Sequence, residues 1–168
     1  MTSLLVRPAS IKDVQSIVKV RLGALTDEEL FGFSVPGDNP YSSIKKLQKM
    51  WIKENKLVGG FEVFVAERDG KVIGFVVINM DDPHDNIDNI VVAKEEQRND
   101  VGKTLVEYVE RIAKSRGFDT ITTDTTENAR GVAWKAYGFW KRIGYEETGE
   151  RISTDYSFKV IPLVKRLK

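Results

Sequence analysis

Apolar positions along the chain fall into two periods. Behind Ser10, an N-cap residue type, Ile11, Val14, Ile17, Val18, Leu22 and Leu25 recur at helical spacing and predict an amphipathic helix. A second helix is predicted around Ile44, Leu47, Met50 and Trp51, and a third over Val101, Leu105, Val109 and Ile112, with Gly117 as its C-cap. A fourth runs through Val132, Ala136, Trp140 and Ile143 and closes at Gly144. The other period belongs to strands. Leu4 to Val6 stops at Pro8, and two runs rich in β-branched and aromatic residues flank Arg68-Asp69-Gly70, which has the chemistry of a hairpin turn. Further strands are predicted at Asn86 to Ala93, in FDTITTDT, in YEETGER and in YSFKVIPLVKRL.

The predicted order is therefore β-α-α-β-β-β-α-β-α-β-β. It describes an α/β (α+β) fold in which a mixed, mostly antiparallel central sheet is flanked by helices. No linker or composition break divides the 168 residues, so one domain over 1–168 is expected. The long polar and aromatic segment TDEELFGFSVPGDNPYSS between the first two helices has the length of a functional connection.

Composition narrows the chemistry. There is no cysteine, which removes thiolate nucleophiles, disulfides and cysteine-ligated zinc. A formal net charge of +1 gives no global field for nucleic acid or an anionic membrane, and neither is expected as a partner. The apolar run at the N-terminus is broken by Arg7 and Pro8, too early for a signal sequence or a span, so a cytoplasmic location is the default expectation.

One junction carries chemistry of its own. QRNDVG lies between a strand and a helix, where the unpaired N–H groups of a first helical turn can receive an anion. Asp100 puts a carboxylate inside that cradle. Taken alone, the junction reads equally as an ordinary helix start with a favourable acid and a tightly packed Gly102.

In its setting the junction resembles the GNAT superfamily of acyl-CoA-dependent N-acetyltransferases. The family pattern V-x-x-x-x-(Q/R)-x-x-G-x-(G/A)-x-x-L meets Val92, Gln97, Asp100, Gly102 and Leu105, with Asp100 where the first glycine stands. The late pattern (L/F)-Y-x-x-x-G-(F/Y) meets Phe139, Trp140, Gly144 and Tyr145, with Trp140 in the tyrosine position. The resemblance spans essentially the whole chain. It implies acetyl-CoA as acyl donor, no metal, and a small-molecule or peptide amine as acceptor that attacks the thioester directly; it leaves a homodimer open.

The resemblance also implies roles. Gln97, Arg98, Asn99, Asp100, Val101, Gly102, Lys103 and Thr104 would surround the pyrophosphate, and Ile90, Val91 and Val92 would offer main-chain groups to the pantetheine arm and the thioester carbonyl. Strand alternation puts Asn86, Asp88, Ile90 and Val92 on one face, so Asp88 is the first candidate for general base. An exposed strand-end carboxylate is its alternative. Asp85, Glu62 and His84 rank below it. Asn128 stands in for the family's cofactor-binding asparagine, or as the N-cap of a helix beginning near Ala129. Trp140 replaces the tyrosine that protonates the leaving thiolate, and an indole N–H has no such acid chemistry. Tyr137 is the substitute, or a core aromatic. The acceptor would sit between the loop Thr26 to Ser43 and the turn Gly149 to Thr154. These two departures also suit a module that holds acyl-CoA without turning it over. A doubly wound nucleotide-binding domain fits poorly, because the junction lacks GxGxxG or GxxxxGK(S/T) spacing.

Overall fold

The runs on either side of Asp69-Gly70 form the central hairpin. Strands β4 (Glu62–Arg68) and β5 (Lys71–Ile78) pair antiparallel, and both turn residues take positive φ, +54° and +73°. Aspartate and glycine are among the few residue types that tolerate this geometry. The computed structural model describes residues 2–37 and 39–168.

Around the hairpin the remaining elements follow in chain order. Strand β1 (Leu5–Pro8) leads through a 3-10 turn into α1 (Val14–Ala24), then α2 (Ile44–Met50) and two short strands, β2 (Trp51–Lys53) and β3 (Lys56–Leu57). After the hairpin come β6 (Ile87–Val92), α3 (Val101–Ser115), β7 (Thr120–Glu127) and α4 (Ala136–Arg142). The chain ends in β8 (Glu146–Glu147), β9 (Ile152–Ser153) and β10 (Lys159–Arg166). One sheet runs β2-β3-β4-β5-β6-β7-β10-β8, with β1 on β4 and β9 on β10. All its pairings are antiparallel except β6 with β7.

Alternation divides the core between the two faces of this sheet. Val63, Val65, Phe75, Val77 and Val91 join Ile17, Val18 and Leu47 on the face of α1 and α2. Phe64, Ala66, Val76 and Ile78 join Leu105, Val109 and Trp140 on the face of α3 and α4. Because helices cover both faces, β4 and β5 read as nearly continuous apolar runs. Gly74 is hemmed in by two neighbours: a Cβ there would stand 3.1 Å from the Val91 carbonyl on β6 and 3.3 Å from Leu105 on α3.

Two predicted helices differ in detail. On α1 the buried residues are Val14, Ile17, Val18, Val20, Arg21 and Ala24, whereas Ile11 and Leu22 are exposed. The fourth helix starts at Ala136, later than expected. Asn128 to Ala133 instead fold back, bridging Glu127 to Ala133, with Gly131 N–H donating to the Asn128 carbonyl. YEETGER holds only β8, β9 begins just after it at Ile152, and β2 and β3 add a small hairpin not foreseen from the pattern.

Candidate active site

The cleft begins where β6 and β7 part. At one end the strands are tied together. Asn86 N–H donates to Thr122 Oγ1 at 3.1 Å, Thr122 N–H to Asn86 Oδ1 at 2.9 Å, and Thr123 Oγ1 to the Ile87 carbonyl at 2.9 Å. Ile87 with Thr123 is the one registered pair between the strands. Past it no β7 residue pairs with β6, and the β7-facing backbone edge from Asp88 onward has no strand partner as far as the Val92 carbonyl, which Gln97 caps. Unpaired backbone N–H and C=O groups inside a fold need partners. This edge is thus a ready template for an extended ligand.

A bulge at the same point redirects Asp88. Val77 pairs with Asn89 and Ile78 with Ile87, so Asp88 has no partner on β5. The extra residue breaks the alternation. Ile87, Ile90 and Val92 pack on the α3 face, whereas Asp88 turns to the α1 face, where its Oδ2 accepts the Tyr41 hydroxyl at 2.8 Å. The expected common face of Asn86, Asp88, Ile90 and Val92 is corrected accordingly. Asn86 is buried and pins the β6 to β7 junction.

A cleft of about 600 Å³ opens there, lined by Arg21, Asp88, Asp124, Phe33, Trp134 and Trp140 among others. Asp88 and Asp124 are half-buried. Burial raises the Asp88 carboxyl above its ordinary value, a shift that Tyr41's hydrogen bond opposes and the charge of Asp82 reinforces. Asp124 is pushed up to about 6 by burial and by the charges of Asp88 and Asp82. Behind them Asp85 reaches about 8, through burial and the charges of Asp124, Asp88 and Asp82. Asp85 and Asp124 therefore titrate together rather than as independent groups.

The long connection roofs this cleft. Thr126 Oγ1 donates to the Phe33 carbonyl at 2.8 Å, Phe33 packs on Trp134 at 5.1 Å, and Glu29 faces Lys135 at 3.7 Å. The loop expected to hold the acceptor is thereby fastened across from α1 to β7. Asp38, within that loop, lies outside the described residues.

At the junction, Gln97 Nε2 donates to the Val92 carbonyl at 3.1 Å and closes the end of β6. Arg98 and Asp100 both have positive φ, +68° and +58°. A left-handed conformation costs most L-residues about 1–2 kcal/mol, less for aspartate. Asp100 is the N-cap of α3, but its carboxylate makes no capping hydrogen bond; its carbonyl accepts from Thr104 N–H at 2.9 Å and Thr104 Oγ1 at 2.8 Å. The first helical N–H groups, on Val101, Gly102 and Lys103, precede any intrahelical bond. Gly102 faces inward: a Cβ would meet the Phe139 ring at 3.3 Å, so its smallness serves helix packing. Arg98, Asn99 and Lys103 are exposed, and Lys103 lies 3.9 Å from Glu107.

Several expected residues lie elsewhere. Tyr137 is not among the residues that line the cleft; its hydroxyl donates to Glu147 at 2.7 Å, in a group with Arg151 and Glu127. Trp140 is 3% exposed, edge-on to Tyr145 at 4.9 Å, and shows one side to the cleft. Asn128 caps no helix. Its Oδ1 accepts from Arg130 N–H and Val132 N–H inside the tight turn. Glu62 is ion-paired to Arg116 and Lys56 away from the cleft, and Arg116 holds its carboxyl below the usual range. His84 is exposed.

Three residues at or behind the cleft were not singled out from the sequence. Tyr41 appeared only as one aromatic among several, and its bond to Asp88 spans 47 positions. Asp124 carries a faint signal, a lone carboxylate in a threonine-rich strand. Arg21 carries a clearer one, a charge in the apolar stripe of α1.

The sequence profile of the acetyltransferase (GNAT) family matches residues 24–145. No curated protein matches the chain in sequence. Solved structures of the same shape include smu.2055 from Streptococcus mutans UA159, 17% identical with a TM-score of 0.73 over 98% of this chain and 99% of that one. The PaiA N-acetyltransferase of Thermoplasma acidophilum, in complex with coenzyme A, is 19% identical with a TM-score of 0.71, over 98% of this chain and 99% of that one. The ribosomal-protein-S18-alanine N-acetyltransferase of Escherichia coli is 16% identical with a TM-score of 0.66, over 99% and 95%. At these identities the likeness is one of fold.

Proposed function

This chain belongs to the acetyltransferase (GNAT) family, and from that premise we propose that it transfers an acetyl group from acetyl-CoA to an amine by direct attack in a ternary complex. The observation that carries the reading is the divergence of β6 from β7 beside Asp88. It leaves a backbone edge free for an extended arm, next to a carboxylate that burial makes more basic than usual.

The residues present fit the donor. The α3 N-terminus offers unpaired N–H groups and a positive dipole end to a pyrophosphate, and the uncapped side chain of Asp100 leaves them free. Of Ile90, Val91 and Val92, the first and last turn main-chain groups to the free edge and offer them to the arm, while the Val91 backbone faces β5; an N–H of this edge polarises the acyl carbonyl. Acetyl-CoA, when bound, supplies an activated carbonyl whose C–S bond breaks as the N–C bond to the amine forms.

Asp88 takes the proton that the amine nitrogen loses. Tyr41 holds that carboxylate in place, and Asp124 supplies a second carboxylate that draws the amine inward. The roofing loop limits access of water. No tyrosine is among the described residues lining the cleft, so the departing thiolate takes its proton from solvent. Trp140 packs beside it without proton transfer.

Amine-dependent release of free thiol from acetyl-CoA, across a panel of small amines and peptides, tests the reading. Release that requires both the amine and Asp88 supports it. Tight CoA binding with no release on any amine would instead make the protein a holding module.

A further inference from the structure

Arg21 breaks the logic of its own helix. It occupies the core-facing stripe of α1 between Val18 and Ala24, is 3% exposed, and lines the cleft. Its Nη1 donates to the Leu25 carbonyl at 2.8 Å, while Nε has no hydrogen-bond partner. Burial pulls the guanidinium below its ordinary pKa, and Asp27 opposes that only through its charge. An arginine nonetheless stays protonated, so the chain carries a buried cation whose donors are incompletely used. Such a group is costly unless something anionic meets it.

The same cleft also carries acids. Asp88 and Asp124 project from β6 and β7, and apolar side chains of Leu22, Leu25, Phe33 and Trp134 line the space. A ligand that suits all three features has an ammonium, an apolar body and a carboxylate. Resting on the acyl-transfer reading above, we propose that the acceptor is an amine bearing a carboxylate, an amino acid or a molecule of that kind, whose carboxylate is received by Arg21 while its amine lies beside Asp88. A guanidinium is suited to this task, since its planar fork matches a carboxylate. A polyamine would instead bring a second ammonium toward Arg21.

The test compares leucine and phenylalanine with leucinamide and phenylalaninamide, and with a diamine, as acceptors for the wild-type protein and for Arg21→Met and Arg21→Lys. The wild type is expected to favour the acids by about tenfold or more in kcat/KM, mostly through KM, the effect of one charge-assisted contact. Arg21→Met should abolish that preference, and Arg21→Lys should recover part of it. Equal rates on acids and amides, a faster diamine, or an equal loss on both substrates in Arg21→Met would overturn the inference. The wild-type comparison stands even where a variant fails to fold. A thermal-shift titration of each pair onto the CoA-bound wild type separates this inference from the transfer reading. There, with no acyl group moving, stabilisation by the acids alone upholds it, and equal shifts or none overturn it.

Discussion

Replacing Asp100 by glycine should tighten CoA binding. Asp100 sits at φ +58° at the start of α3, exposed and without a capping bond, so neither fold nor helix depends on its carboxylate. At about 6 Å from a phosphate charge in water, Coulomb's law gives roughly 0.7 kcal/mol per charge pair. Two such charges, screened by salt, leave about 1 kcal/mol, or about fivefold in Kd. Glycine also adopts positive φ without penalty, so the turn keeps its shape. Asp100→Asn separates the two effects, because asparagine tolerates this backbone while removing the charge. Calorimetric titration of CoA at low and high salt is the assay. Both variants should bind about fivefold more tightly at low salt, and the gap should narrow as salt rises. Unchanged or weaker binding by Asp100→Gly would refute the electrostatic reasoning, and tightening by glycine but not asparagine would assign the effect to conformation.

Three more outcomes follow from the cleft and the core. Asp88→Asn should lower kcat by about 10²–10⁴ with CoA affinity unchanged, read by steady-state kinetics beside calorimetry; an equal loss in CoA binding would make Asp88 structural. Activity requires ionised Asp88, so it should fall as pH drops through that raised pKa. Tyr41→Phe removes the hydrogen bond that lowers it, and the acid limb of kcat/KM should move to higher pH; an unmoved limb, or one moved to lower pH, would contradict this. Gly74→Ala puts a Cβ 3.1 Å from the Val91 carbonyl and should destabilise the protein by about 1–3 kcal/mol in denaturant unfolding. A neutral result would mean that the β6 backbone and α3 both yield at Gly74.

The types and order of the longer elements were legible because each stretch obeys one period, and Asp69-Gly70 announces its turn; the two- and three-residue strands β2, β3 and β9 are too short to show one. The junction was legible through the spacing of Val92, Gln97, Gly102 and Leu105, although the pattern could not say that Gly102 faces Phe139 rather than a ligand. Three things escaped for physical reasons. The bulge at Asp88 adds one residue that no alternation can reveal, and it moves the candidate base to the other face of the sheet. Tyr41 and Asp88 meet only through tertiary packing. Asn128 fits a helix cap by composition, but the chain folds back at Gly131 and delays α4 to Ala136. Arg21 was readable in principle, yet its place on the buried stripe depended on a helical register that assigned Leu22 inward instead.

The most direct measurement of the central claim is a structure with CoA bound. The account predicts the arm along the unpaired β6 edge from Asp88 to Val92, the pyrophosphate on the N–H groups of Val101 to Lys103, and the thiol end opening toward Asp88 inside the cleft. A pyrophosphate bound away from the α3 N-terminus, or an arm that leaves the β6 and β7 divergence empty, would contradict it.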